Sequence, residues 1–407
     1  MSSEWEMVRL GNHVDACLGK MLDAKKNKGI PQPYLGNSNV RWGVFDLTDL
    51  AEMKFEAHEE ERYSLQPGDL VVCEGGEPGR CAIWTGPAGM KVQKALHRIR
   101  PKSSLDNYYL FYWFQHAART GGLEPYFTGT TIKHLTGKAV AELNIPLPPI
   151  NIQREMVDVL RSLDDRITLL CETNATLEAI AQALFKSWFV DFDPVRAKME
   201  GRAPEGMDEA TAALFPDAFE ESELGLVPRG WRIGKLEDLL ILQRGFDLPA
   251  SERVPGNYPI IAASGPSGTH YKPMAKAPGV VTGRSGVLGR VFLELEDYWP
   301  LNTTLWVKEF RAAPPCYAYE ILRLLDFTSF NAGSAVPTLN RNHIHSLQYL
   351  IPPRACLDAY ESLAMTFHKR VRENQEQAKT LVVLRDTLLP RLISGQLRLP
   401  EAEALIA

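Results

Sequence analysis

A heptad repeat of apolar residues between positions 151 and 191 is the feature that most constrains the fold. Apolar side chains recur there in steps of three and four residues, from Ile152 to Trp188. This spacing predicts a long α-helix that packs one narrow face against a partner helix. Pro148-Pro149 favours the helix start, and Asp193-Pro194 favours its end. At about 1.5 Å per residue, such a helix is about 60 Å long.

A second heptad run, from Tyr360 to Leu392, predicts the partner helix, with a stop at Ser394-Gly395. Aligning the two helices antiparallel on their midpoints places Asn174 opposite Asn374. A polar pair inside an apolar seam fixes the register at some cost in stability. The predicted seam consists of Met156, Leu163, Ile167, Leu170, Asn174, Leu177 and Leu184 on the first helix and Phe367, Val371, Asn374, Leu381 and Leu388 on the second.

The sequence contains one unit twice, which predicts a pseudo-twofold molecule in which a single chain imitates a homodimer. From Gly129 onward the second copy follows the first at a constant offset of 204 residues. The stretches that carry the repeat include Trp5–Leu10 with Trp231–Leu236, Gly79-Arg80 with Gly289-Arg290, Val92–Leu96 with Leu301–Leu305, and Gly129–Leu135 with Gly333–Leu339.

These patterns predict an α+β fold with two similar mixed α/β domains joined by two long antiparallel coiled-coil helices. Short apolar runs such as Val71–Cys73 and Val291–Leu293 predict strands, and Tyr108–Ala118 and Tyr317–Leu325 predict helices. The predicted divisions are a first domain over 1–149, a long helix over 150–193, an acidic connector over 194–228, a second domain over 229–353, a long helix over 354–395 and a tail over 396–407.

Charge is unevenly distributed along the chain. The net charge is −5, but residues 150–228 alone hold 7 basic and 16 acidic groups. The two flanking domains are neutral to mildly basic, which leaves room for local basic patches. The sequence shows no run of 18 apolar residues, no signal-peptide core at its N-terminus and no CxxC spacing among its six cysteines. We therefore expect a cytoplasmic protein with reduced cysteines.

Catalytic motifs are not apparent in the sequence. It lacks a GxxxxGK[ST] phosphate loop, and the glycines between Gly283 and Gly289 do not lead into a helical pattern. His343-Ile-His345 has strand-like spacing for two metal ligands, but no cysteine or carboxylate cluster accompanies it. These patterns predict a chain without catalytic residues, bound metal or cofactor.

The sequence does contain residues suited to the recognition of DNA. Arginine and lysine bind guanine edges or phosphates, and hydroxyl groups donate to both phosphates and bases. Such residues fall at loop positions in both copies of the repeat, several of them matched. The predicted DNA-binding residues are Arg80, Lys94, Thr130, Thr131, Lys133, Arg284, Arg290 and Arg341.

The chain resembles the specificity subunits of type I restriction–modification systems. The resemblance covers essentially the whole chain, including the doubled order of domain and helix. It is carried by Gly129-Thr-Thr-Ile, by Leu143-Asn-Ile-Pro-Leu-Pro-Pro149, by Leu184-Phe-Lys-Ser-Trp-Phe189 and by Arg391-Leu-Ile-Ser-Gly-Gln-Leu397.

The resemblance implies a non-catalytic subunit with two target-recognition domains, each binding one half of a bipartite, asymmetric double-stranded DNA sequence. It also implies that the helices set the spacer and dock two modification (methyltransferase) subunits. S-adenosylmethionine, ATP and Mg would be bound by partner subunits, including two restriction (translocase/endonuclease) subunits.

One departure from the family pattern is Gln153, which has no counterpart in the second copy, where position 357 is leucine. Two alternatives remain open at this stage. The chain could be a self-sufficient DNA methyltransferase or nuclease, which methylation by the purified chain alone would reveal. It could also be a scaffold that does not recognise DNA, which base-specific protection in an assembled complex would exclude.

Overall fold

The computed structural model describes residues 5–23, 27–327, 339–397 and 401–402. The chain divides into two compact units. The first combines residues 1–168 with residues 378–407, and the second comprises residues 169–377. Because the boundary falls inside both long helices, each unit contains a part of each helix.

The domain of the first unit is built on a four-stranded antiparallel sheet of order β2-β8-β5-β6 and a three-stranded sheet of order β4-β3-β7. Strands β3 and β7 run parallel, and β1 pairs with β9. The strands are β1 (Met7–Arg9), β2 (Val14–Leu18), β3 (Ile30–Leu35), β4 (Ala51–Phe55), β5 (Leu70–Cys73), β6 (Cys81–Ile83), β7 (Lys91–Val92), β8 (Leu96–Pro101) and β9 (Asn144–Pro146). The helices are α1 (Glu60–Tyr63), α2 (Asn107–Arg119), α3 (Gly137–Glu142) and the start of α4 (Ile150–Phe189).

The core of the first unit joins the four-stranded sheet to α2 and the long helices. Asp106 caps α2 by accepting hydrogen bonds from the amides of Tyr108 and Tyr109. Side chains from the first half of α4 pack in one cluster with side chains from the last part of the chain. That cluster includes Met156, Leu160, Leu163, Leu388 and Leu392, all of which are buried.

The second unit repeats this architecture. Its four-stranded sheet has the order β13-β19-β16-β17, its three-stranded sheet the order β15-β14-β18, and β12 pairs with β20. The strands are β10 (Phe219–Ser222), β11 (Gly225–Pro228), β12 (Arg232–Lys235), β13 (Leu240–Arg244), β14 (Tyr258–Ala262), β15 (Gly265–His270), β16 (Gly279–Gly283), β17 (Val291–Glu294), β18 (Trp299–Pro300), β19 (Thr304–Phe310) and β20 (Gln348–Ile351). The helices are the end of α4, α5 (Asp193–Met199), α6 (Glu209–Ala213), α7 (Leu236–Leu239), α8 (Pro315–Leu324), α9 (Arg341–His345) and the first part of α10 (Arg354–Ile393).

The two domains share one topology. Each strand of the first has a counterpart with the same neighbours in the second, and even the short parallel pairing of β3 with β7 recurs in β14 with β18. The predicted α+β class with two similar domains and paired long helices is therefore confirmed. In the second copy of the Gly129 motif, positions 333–338 lie outside the described residues.

The structure shifts one stretch of the predicted repeat alignment. Gly19 donates its amide hydrogen to Leu96 O, and the equivalent Gly245 donates to Thr304 O, both near 3 Å. Leu96 therefore corresponds to Thr304, one residue away from the predicted partner Leu305. A one-residue slip moves every side chain to the other face of a strand, and hydrophobic similarity alone did not reveal it here.

The long helices run antiparallel within the second unit. Asn374 Nδ2 donates to Asn174 Oδ1 over 2.9 Å, and Tyr360 Oη donates to Ala181 O over 3.2 Å. The Asn pair is the one that the midpoint alignment predicts. Both amides are buried, so each satisfies part of the other's hydrogen-bonding capacity.

The end of the first long helix differs from the prediction. Helix α4 stops at Phe189, and Phe192 has a left-handed backbone with φ 57°. Pro194 then occupies the first turn of α5, where its missing amide hydrogen costs nothing. Residues 194–228, which were expected to form a connector, carry α5, α6 and the β10–β11 hairpin and contribute Val195 and Phe215 to the core of the second unit.

Candidate nucleic-acid interface

A glycine-rich turn after the central strand organises the candidate interface of the first domain. We call residues 74–80 the first turn. Glu74 N donates to Ala95 O over 2.9 Å, and Leu135 N donates to Glu74 O over 2.7 Å. These two bonds bring the turn beside the segment that holds Lys94 and beside the hairpin of residues 128–134. The structure therefore gathers the predicted residues of the first domain at one end of its sheet.

The predicted residues around the first turn differ in accessibility. Thr130 and Thr131 are exposed, and Lys94 is half-buried. Lys133 is exposed, lies 3.6 Å from a carboxylate oxygen of Glu124 and has its ammonium 5.7 Å from the ring centre of Phe127. These weak surface contacts leave the ammonium available to a phosphate.

Arg80 has a structural role. Its side chain is only 16% exposed and pairs with Glu77 at 3.0 Å. Its Nη2 donates to the carbonyl oxygen of Asn37 in the loop 36–50, and Trp42 of the same loop donates its indole hydrogen to Glu77. Arg80 thus fastens the loop 36–50 to the first turn.

The second domain repeats this arrangement at residues 284–290, which we call the second turn. Arg284 N donates to Thr303 O over 2.8 Å, and Leu339 N donates to Arg284 O over 2.9 Å. Arg290 Nη1 donates to Ser264 O over 2.6 Å, in the short connection between β14 and β15. Arg290 therefore holds the neighbouring connection through a carbonyl oxygen, as Arg80 does in the first domain.

The remaining candidates of the second domain are Arg284 and Arg341. Arg284 is half-buried, and Arg341 is exposed at the first position of α9. Within the described part of the chain, no hydrogen bond or ion pair engages the guanidinium of Arg284. DNA binding by all eight residues stays a prediction.

Glu74 is a residue that sequence reasoning missed, because only basic and polar side chains were considered. Gly76 and Gly286 both have positive φ, at 74° and 86°, and so do Gly79 and Gly289, at 93° and 82°. This shared backbone places Glu74 at the position of Arg284. The sequence offset between Gly79-Arg80 and Gly289-Arg290 also relates Glu74 to Arg284. Applying that offset to the start of each turn could have identified Glu74 from the sequence.

The two histidines that were considered as metal ligands lie on a helix. His343 and His345 belong to α9, not to a strand, so the expected strand-like geometry is wrong. His345 Nε2 accepts a hydrogen bond from Leu242 N over 2.9 Å, which commits that nitrogen to the protein. Burial lowers the pKa of His345.

In each unit a polar side chain near the start of a long helix binds the start of a helix of the domain. Gln153 is fully buried, and its Oε1 accepts from Asp106 N at the start of α2. Its Nε2 donates to Ser104 O and Pro148 O. In the second unit Glu361 accepts from Cys316 N at the start of α8. The anchoring residue is therefore present in both copies, but on different turns of the helix.

The inner faces of the two long helices carry different polar groups at equivalent positions. In the first unit, Asp164 accepts from Tyr112 Oη over 2.7 Å and from Arg385 Nη1 over 2.6 Å. In the second unit, the position 204 residues later is His368, which packs against the ring of Tyr319. Burial lowers the pKa of His368 to about 4, so this histidine is neutral in the folded protein.

The described residues include no helix that is both long enough and apolar enough to span a membrane.

Comparisons with known proteins give the same assignment as the resemblance. Residues 2–179 match the family model of the type I restriction modification DNA specificity domain. The type I restriction enzyme MjaIX specificity subunit of Methanocaldococcus jannaschii is 24% identical over 368 residues, covering 82% of this chain and 78% of that protein. The HindI specificity subunit of Haemophilus influenzae is 25% identical over 336 residues, covering 66% of this chain and 72% of that protein.

A solved structure shares the fold along nearly the whole chain. The crystal structure of the S subunit of a type I restriction-modification system from M. genitalium aligns with a TM-score of 0.57 at 15% identity, covering 96% of both chains. Two domains of one topology, each followed by a long helix, define a duplicated protein. The chain is therefore similar to type I restriction–modification specificity subunits in sequence, and over residues 2–179 it matches their DNA specificity domain.

Proposed function

We propose that each domain recognises one half of a bipartite, asymmetric DNA sequence and that the paired helices set the spacing between the halves. The observation that carries the proposal is the repeated turn, held in both domains by the same two backbone hydrogen bonds. Two such modules in one chain bind a two-part target with a high effective concentration. Half-sites about one DNA turn apart suit this arrangement.

The helices also dock two methyltransferase subunits under this proposal. The partner subunits hold S-adenosylmethionine, and associated restriction subunits use ATP and Mg for translocation and cleavage. The chain itself contributes recognition and assembly. The near-neutral first domain supports this division of labour, because the partners then supply much of the phosphate neutralisation.

A genome-wide map of methylated adenines tests the proposal. Cells with this chain and its methyltransferase partner should show one bipartite, asymmetric methylated motif, and cells that lack the chain should lose it. The same motif without the chain would overturn the proposal. A motif with a single contiguous half would contradict the assignment of both domains to recognition.

Reconstitution separates the alternatives. The purified chain with S-adenosylmethionine should not methylate DNA, and adding the methyltransferase subunits should restore site-specific methylation. Methylation by the chain alone would favour a self-sufficient enzyme. A complex that methylates DNA without any base-specific protection by this chain would favour a scaffold.

A further inference from the structure

The two turns present one residue each from the same point of the same scaffold. Residue 74 directly follows β5, and residue 284 directly follows β16. In each case the amide donates to the segment before the neighbouring strand, at Ala95 or Thr303. In each case the carbonyl accepts from a leucine ahead of the following helix. Because both sides of the backbone are fixed, the side chains at 74 and 284 start from equivalent places on the two domains.

Opposite charges occupy these equivalent places. The first turn carries Glu74, Glu77 and Arg80, and the second carries Arg284 and Arg290. Arg80 and Arg290 both donate to the neighbouring hairpin connection, and Glu77 is held by Trp42. In the part of the chain that the structure describes, no hydrogen bond or ion pair engages the carboxylate of Glu74 or the guanidinium of Arg284. These two side chains are therefore the uncommitted charges of their turns.

The chemistry of the two groups matches different bases. A guanidinium donates two hydrogen bonds to the O6 and N7 atoms of guanine, whereas a carboxylate accepts from the amino group of cytosine. A carboxylate also repels phosphate, so Glu74 has no use as a backbone contact. An acid at this position fits recognition of a base edge, and the identical frame assigns the same role to the arginine.

We propose that residues 74 and 284 are equivalent specificity-determining positions, with Glu74 selecting a cytosine in one half-site and Arg284 selecting a guanine in the other. This inference rests on the proposed function and names the residues that carry it. Its consequence is that one scaffold yields two different half-sites by exchanging a single charge.

The experiment uses the full-length chain assembled with its methyltransferase subunits. Complexes are selected on a DNA library randomised in both half-sites at a fixed salt concentration, and the bound sequences are read. The variants are Glu74→Arg and Arg284→Glu, together with the milder Glu74→Gln and Arg284→Lys. Matched charge changes at exposed sites outside the turns, Glu61→Arg and Arg229→Glu, serve as controls.

We expect Arg284→Glu to change the preferred base at one position of one half-site, from guanine to cytosine, with the other half-site unchanged. Glu74→Arg should do the reverse in the other half-site. The discrimination at that position should change by about 10- to 100-fold, the range of a good bidentate contact. The control variants should leave both half-sites unchanged.

Three outcomes overturn the inference. The first is an even loss of affinity over all sequences, which marks a phosphate contact. The second is no change in preference. The third is a change in both half-sites at once. If a charge reversal prevents assembly, the milder variants decide, because Glu74→Gln keeps the size of the side chain and Arg284→Lys keeps its charge but loses the fork. Unchanged base preference in both would refute the proposal.

The wild-type result distinguishes the two levels of proposal. If the wild-type complex shows no bipartite preference, the proposed function fails. If it shows one and the variants share it, only the assignment of residues 74 and 284 fails.

Discussion

The two domains have the same strands in the same order, yet they differ where their loops meet the candidate interface. Between β3 and β4 the first domain carries the loop 36–50, whereas β14 and β15 of the second are joined by residues 263–264 alone. An arginine of the adjacent turn holds each connection through a carbonyl oxygen. The hydrogen-bonded frame is thus kept in both copies, while the loop length and the charge of the turn have changed.

This difference shows which parts of a duplicated domain are free to diverge. Exposed loops tolerate insertion and substitution because their side chains do not pack in a core. The backbone bonds at residues 74 and 284 do not depend on side-chain identity, so charge can be exchanged there without disturbing the sheet. The comparison can be tested where the two units use different residues at equivalent positions.

The largest difference is expected at the ends of the long helices. Trp188 packs against the rings of Phe215 and Tyr360 in the second unit, with ring centres 5.4 Å and 6.2 Å apart. The equivalent residue of the first unit is the buried Leu392. Trp188→Ala should lower the free energy of unfolding by about 3–5 kcal/mol, and Leu392→Ala by about 2–4 kcal/mol. Denaturant titration measures both, and an equal or larger loss for Leu392→Ala would contradict the comparison.

The polar anchors offer the next test. Gln153→Leu introduces the residue found at the equivalent position 357 and leaves Asp106 N, Ser104 O and Pro148 O without their partner. We expect a loss of about 2–4 kcal/mol in the free energy of unfolding. Glu361→Gln is the matched control, since an amide oxygen still accepts from Cys316 N, and it should cost less than about 1 kcal/mol. Tolerance of Gln153→Leu would show that the anchor is dispensable.

The polar groups at the equivalent positions 164 and 368 differ, and His368 should make the stability of the second unit depend on pH. The folded pKa of His368 is about 4, below its usual value near 6.5, because burial disfavours the charged ring and Arg323 adds repulsion. Below pH 6.5 the unfolded chain therefore binds a proton that the folded chain does not, and stability falls as the pH falls toward 4. Above pH 6.5 His368 is neutral in both the folded and the unfolded chain, so this loss of stability is absent.

The measurement is a difference between wild type and His368→Phe. As the pH falls from 7 to 5, the stability of the wild type relative to the variant should decrease by about 2 kcal/mol. A difference is needed because Glu294 of the same unit has its pKa raised to about 7 by burial and contributes with the opposite sign. A difference that does not change with pH would refute the neutral, buried state of His368.

The smallest effect is expected at the asparagine pair. Asn374→Leu leaves the buried Asn174 amide without its partner and should cost about 1–2 kcal/mol. The double variant Asn174→Leu with Asn374→Leu should recover this loss, because two leucines suit an apolar seam. A double-mutant cycle on the free energy of unfolding gives the coupling, and a coupling near zero would show that the pair does not fix the register.

The long helices could be predicted from sequence because their signal is local and periodic. Heptad spacing located both helices to within a few residues, and the alignment of their midpoints found the Asn174–Asn374 contact. The end of α4 could not be predicted in the same way. Pro194 is compatible with both the end of one helix and the start of another, and the left-handed Phe192 has no local sequence signal.

The sheets and the roles of the candidate side chains needed coordinates. Strand order depends on pairing between distant segments, and the repeat alignment was off by one residue at β8 and β19. Arg80 was predicted as a DNA contact from its residue type and loop position. Whether its guanidinium is free depends on Asn37, which lies 43 residues earlier in the chain. Spacing along one loop carries no information about such a partner.

The division of the helices between the units has a consequence for synthesis. The second unit is one uninterrupted segment, residues 169–377, whereas the first needs residues from both sides of it. During translation the second unit can therefore become complete while the first still exposes Met156, Leu160 and Leu163, whose partners Leu388 and Leu392 are made later. A chain that ends at residue 377 would lack the last residues of the first unit. Its incomplete core would therefore lie in the unit whose synthesis began first.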